Sequence, residues 1–76
     1  MNADRRKRLS EIFVKIEQIK GEVEDIRDEE QNAFDSMPEG LQQSERGQSA
    51  ENAISCIEEV IDGLEQACDQ INDAIF

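Results

Sequence analysis

Pro38 is the one proline of this 76-residue chain, and it falls at the midpoint, between two long runs with helical hydrophobic spacing. The segment around it, Asp35–Gly47, also holds two of the four glycines. Ser36 followed by Glu39 matches a capping box, and Pro38 suits a first helical turn. Pro38 also biases Met37 away from helical geometry, so the first helix is expected to end near Asp35 or Ser36. The expected layout is one domain, 1–76, with helix 1 over about 3–35, an elbow over about 36–43 containing a short helical turn, and helix 2 over about 44–75. A short connection between two such arms makes them antiparallel.

Asn2 is a good N-cap for helix 1, with Asp4 favourably placed in its first turn. Four cations follow, Arg5, Arg6, Lys7 and Arg8. They oppose the helix dipole, which calls for acidic groups nearby. The apolar positions Leu9, Ile12, Ile16, Ile19, Val23 and Ile26 step alternately by three and four, a heptad seam continued by Glu30, Ala33 and Met37. In this register a is 9, 16, 23, 30 and 37, and d is 12, 19, 26 and 33. Helix 2 repeats the pattern with Ala50, Ile57, Leu64 and Ile71 at a and Ala53, Val60, Ala67 and Ala74 at d. A third column, e, holds Ile54, Ile61, Cys68 and Ile75. Three apolar columns in seven is wider than a two-stranded seam requires.

The sequence therefore predicts an all-α fold, an antiparallel two-helix hairpin that dimerises into a four-helix bundle. With a and d inside the hairpin, Phe13, Ile54, Ile61, Cys68 and Ile75 are assigned to self-association. Chains this short bury only about 60% of their unfolded surface and usually gain support from such association. Antiparallel pairing is expected to bring Arg5–Arg8 against Glu65, Asp69 and Asp73, and Glu30 against Arg46.

Charge narrows the function. The net charge is −11, and residues 28–76 carry thirteen acidic groups against one basic, Arg46. Direct binding of this half to nucleic acid is disfavoured, because phosphate contact demands cationic surface. A protein partner with a basic surface suits it. No run of about 18 apolar residues crosses a membrane. The basic start resembles the opening of a signal peptide, but Glu11, Lys15, Glu17 and Lys20 put charges where such a peptide has its apolar core. Cys56 and Cys68, twelve residues apart on one helix, lie roughly 18 Å apart along its axis and cannot bridge within the chain. Unpaired cysteines suit a reducing cytoplasm.

Chemistry is scarce. There is no histidine, tyrosine or tryptophan, so neither cysteine has an imidazole to activate it. The Glu-x-x-His pair of carboxylate-bridged metal bundles is missing. No catalytic, metal or cofactor residue is assigned, and the expectation is a non-enzymatic protein.

Candidate contact residues lie on the acidic face of helix 2, where Glu51, Glu58, Asp62, Glu65 and Asp69 fall on neighbouring b and f rows. Steps of three or four residues set carboxylates about 5–6 Å apart, near the interval between phosphates along a nucleic-acid strand. Such a ladder could occupy a nucleic-acid channel of another protein; the plainer reading is a solvated face that keeps a small helical protein soluble. The basic cluster could touch phosphate or an anionic membrane, or simply pair with the acidic end of helix 2. Gln42, Gln43, Glu45 and Arg46 make the elbow more polar than a turn requires, which marks it as a second candidate contact against the plainer reading of a capped turn.

The elbow Phe34-Asp35-Ser36-Met37-Pro38-Glu39-Gly40-Leu41-Gln42-Gln43-Ser44-Glu45-Arg46-Gly47 resembles the turn of small acidic helical proteins of bacterial phages and prophages. It departs from their pattern at Gly40 and in having Met37 before the proline. The resemblance implies a bacterial host cytoplasm. By analogy with that class it implies inhibition of host or defence machinery, CRISPR and restriction systems included, through protein–protein contact. The rival expectation is a structural oligomerisation module with a merely solvated acidic face. The C-terminal Asp73-Ala74-Ile75-Phe76 resembles, slightly, the acidic tail of bacterial single-stranded-DNA-binding proteins, though without its proline. Closure of the bundle end by Phe76 is the reading preferred for it.

Overall fold

A computed structural model describes all residues, 1–76. Its elements are α1 (Ala3–Asp35), α2 (Glu39–Gln42) and α3 (Glu45–Ile75). The first helix starts where its cap dictates: Asn2 is extended, and its side-chain oxygen accepts from the Arg5 amide at 2.9 Å. It ends at Ser36, whose backbone amide donates to the Asn32 carbonyl, while the Met37 amide donates to the Phe34 carbonyl. Ser44 caps α3 in the same way, accepting from the Gly47 amide at 3.5 Å while its hydroxyl donates to the Leu41 carbonyl. The expected capping box does not form. Ser36 closes α1 instead of opening α2, and Pro38 precedes α2 with no side-chain cap.

The two long helices pack side by side, in an envelope of 58 × 14 × 12 Å. The radius of gyration is 17.3 Å, against about 11 Å for a compact domain of this length. Cys68 of α3 lies against Glu17 and Lys20 of α1. Counting outward from there, antiparallel, brings Phe76 opposite Leu9–Ile12 and leaves Arg5–Arg8 beyond the end of α3. At the other end, roughly the first two turns of α3 extend past Asp35, and α2 folds against them. A 33-residue helix is about 50 Å long, so the 58 Å envelope reflects this stagger.

The stagger overturns the expected ion pairs. The only two salt bridges are Arg8–Asp4 at 3.7 Å and Arg27–Asp28 at 3.1 Å, both within α1. The Arg5–Arg8 cluster makes no bridge to α3, and Arg46 does not reach Glu30, because α2 occupies the turn and shifts α3 along α1. Phe76 closes nothing; it is fully exposed.

The seam itself is rotated from the expected one. The buried residues are Gly47, Ala50, Ile54, Ile61 and Cys68, with Cys68 only 3% exposed. Columns a and e face inward on both helices: Leu9, Phe13, Ile16, Val23 and Phe34 of α1 are half-buried, as are Ile57, Leu64, Ile71 and Ile75 of α3. The d column turns outward on α1 and at Val60 and Ala74 of α3, with Ala53 and Ala67 half-buried at its margin. Ile12 is 44% exposed, Ile19 47%, Ile26 55% and Val60 51%. The cause lies in α3, whose e column carries isoleucines and a cysteine where d carries three alanines. Burying Ile in place of Ala gains about 0.8 kcal/mol per extra buried carbon. In exchange α1 places Lys20 and Arg27 at its e positions, half-buried, with charged ends free to reach water along their stems. Phe13, Ile54, Ile61, Cys68 and Ile75, expected to receive a second copy, therefore form the seam of the single hairpin.

Candidate functional site

The rotation divides the surface of the hairpin into two unlike flanks. In an antiparallel pair, columns displaced to the same side of the seam on both helices lie next to each other. On one flank the b column of α1 (Ser10, Glu17, Glu24, Gln31) runs beside the b column of α3 (Glu51, Glu58, Glu65, Asn72), with Asp62 and Asp69 in the f column behind it. On the other flank the d column of α1 (Ile12, Ile19, Ile26, Ala33) runs beside that of α3 (Ala53, Val60, Ala67, Ala74).

The acidic flank gathers the five carboxylates that sequence spacing singled out. Glu51, Glu58, Asp62, Glu65 and Asp69 are all exposed, and none takes part in a salt bridge or side-chain hydrogen bond. Glu17 and Glu24 of α1 extend the same surface, a contribution that helix 2 spacing alone could not disclose. The signal was present in the b positions of helix 1, but only the a/e seam brings them to this side. No group of three His, Cys, Asp or Glu side chains is arranged to hold a metal ion.

The elbow residues divide between structure and surface. Gln42 is half-buried and donates its side-chain amide to the Phe34 carbonyl at 3.0 Å, a second bond to an oxygen at the end of α1 that also accepts from the Met37 amide. Gln43, Glu45 and Arg46 are exposed, and Glu45 and Arg46 border a shallow polar depression with Gln48, Ser49 and Asn52. The elbow is held closed by contact of α2 with Gly47. A Cβ at Gly47 would overlap the Leu41 and Gln42 carbonyls, whereas Gly21, Gly40 and Gly63 have open space around them.

One side chain has a displaced acidity. Burial, and then the Glu17 carboxylate beside it, push the Cys68 thiol up from its ordinary value, with Lys20 opposing. Cys68 is thus a packed, protonated thiol in the seam, while Cys56 is exposed. No helix is long and apolar enough to cross a membrane. No family model, curated protein or solved structure matches the chain.

Proposed function

We propose that this chain is a non-enzymatic acidic binding protein of phage type. It inhibits a host or defence factor, such as a CRISPR or other nucleic-acid-handling system, by protein–protein contact. The observation that carries this reading is the acidic flank, on which Glu58, Asp62, Glu65 and Asp69 stand exposed and unpaired about one helical turn apart, with Glu51 two turns before them. A surface with that spacing offers a cationic channel the charge pattern of a phosphate backbone, on a rigid helix that loses little entropy on docking. The resemblance of the elbow to small acidic phage proteins agrees with it.

The test is a pull-down from bacterial lysate with the wild-type chain and with a variant carrying E51Q, E58Q, D62N, E65Q and D69N. A stoichiometric partner that is released by salt and absent from the variant supports the proposal. A partner retained equally by both sinks it.

A second reading, that the chain is a structural oligomerisation module, is favoured by the apolar flank with Ile12, Ile19, Ile26 and Val60 half in water. The two readings are compatible on one molecule, since the flanks face opposite ways. Self-association through the apolar flank into a four-helix bundle is part of the proposal.

A further inference from the structure

We propose that a second copy of this chain seats on the d-column flank in one defined arrangement. The α1 helices run antiparallel to each other about a two-fold axis at Ile19. This rests on the self-association reading and specifies its surface, its axis and its register.

Area comes first. The chain exposes 5621 Å², where size scaling gives about 4,700 Å² for a compact protein of this mass. The excess is close to the roughly 800 Å² that each partner of a standard interface buries. The flank runs from the Ile12 layer to the Ala33 layer, about 32 Å at 1.5 Å per residue, and is two helices wide. It is the one long apolar surface left to water.

Charge then selects the occupant and its direction. With −11 on each chain, two copies can approach only where carboxylates are few or compensated. The outer edge of this flank on α3 is the g column, Ser49, Cys56, Gly63 and Gln70, which carries no ionised carboxylate or cation. The matching edge on α1 reads Arg8, Lys15, Glu22, Glu29, two cations followed by two anions, all exposed or at the margin of the flank. Laid antiparallel on itself, that row is self-complementary. Arg8 meets the partner's Glu29, and Lys15 meets the partner's Glu22. The same register sets Ile19 on the partner's Ile19 and Ile12 on the partner's Ile26, so the apolar column and the charged edge agree on one axis. On α3 it brings Ala67 to the axis and Val60 beside the partner's Ala74, where small side chains permit close approach. Stacking α1 on the α3 of the other copy instead would leave both cations facing an uncharged edge.

The experiment uses the full chain in a Cys56→Ser background. Sedimentation velocity at tens of micromolar reports mass, and oxidation of Ile19→Cys reports the axis. Val14→Cys, on the other side of α1, serves as control. The expected results are a dimer, a covalent dimer from I19C but not from V14C, and self-association at least about tenfold weaker in R8E/K15E. Mixing that variant with E22R/E29R should restore a mixed dimer. A dimer that ignores the charge reversals and does not cross-link through I19C overturns this arrangement while leaving self-association standing. A monomer at these concentrations overturns both. Gly63→Arg, at a position where a Cβ has open space around it, should keep the helix content and lose the dimer; a dimer unaffected by it also counts against the proposal.

Discussion

Gly47 of α3 packs directly on the backbone carbonyl of Gln42, leaving no room for a Cβ between them. This contact holds α2 across the start of α3 and sets how far α3 is displaced along α1. Replacing a helical glycine with alanine ordinarily gains up to about 1 kcal/mol. At Gly47 the overlap with two carbonyls reverses the sign. Gly47→Ala is expected to cost about 1–3 kcal/mol, whereas Gly21→Ala should gain up to about 1 kcal/mol. Urea midpoints at equal slope measure both.

The caps give a graded prediction. Ser44 accepts from the Gly47 amide and donates to Leu41, so Ser44→Ala removes the cap of α3 and a strut of the elbow together. The expected loss is about 1–2 kcal/mol. Gln42→Ala removes one of the two hydrogen bonds to the Phe34 carbonyl and should cost about 0.5–1 kcal/mol. Amide exchange should rise first across the elbow in both variants, leaving the middle of α1 and α3 protected.

The rotated seam predicts an inversion between neighbouring residues. Ile61→Ala should cost about 2–4 kcal/mol in dilute protein, because Ile61 is buried within the hairpin. Val60→Ala should cost less than about 1 kcal/mol there, since Val60 is half exposed. Thermal melts below the association range would reveal the difference, and equal losses at 60 and 61 would contradict the seam.

Cys68 predicts an alkaline limit. Its folded acidity is displaced upward by burial and Glu17. The folded state therefore holds the thiol proton more tightly than the unfolded chain. Stability from this group is fully present below the unfolded thiol value and is lost as pH rises through that value toward the folded one. From about pH 8 to 10 the wild type should lose stability relative to Cys68→Ala, whose profile lacks this group. A constant difference across that window would contradict the assignment.

How much of this was legible in the sequence differs from residue to residue. Asn2 as a cap, the end of α1 at Asp35 and a short helix after Pro38 arise from local chemistry, which acts over a few residues. Helical periodicity located the three apolar columns of α3, but it could not rank them. The choice between a/d and a/e depends on which packing of both helices together buries more volume, and that is a tertiary quantity. The acidic ladder of α3 was visible for the same local reason as the caps. Its extension by Glu17 and Glu24 was hidden, because it depends on the seam. The ion pairs expected for Glu30 and for Arg5–Arg8 failed on register. The α2 turn lies between the helices and shifts one along the other, an offset that heptad counting does not contain.

The division into an acidic and an apolar flank stands on columns a and e facing inward, and the two native thiols report on it directly. Cys68 lies in column e and is buried; Cys56 lies in column g and is exposed. Maleimide labelling of the native chain, followed by mass spectrometry of the two sites, should modify Cys56 promptly. Cys68 should react only as the hairpin unfolds, with protection that survives dilution into the monomer range. Comparable labelling of both thiols in the folded protein would contradict the a/e seam, and with it the assignment of the flanks.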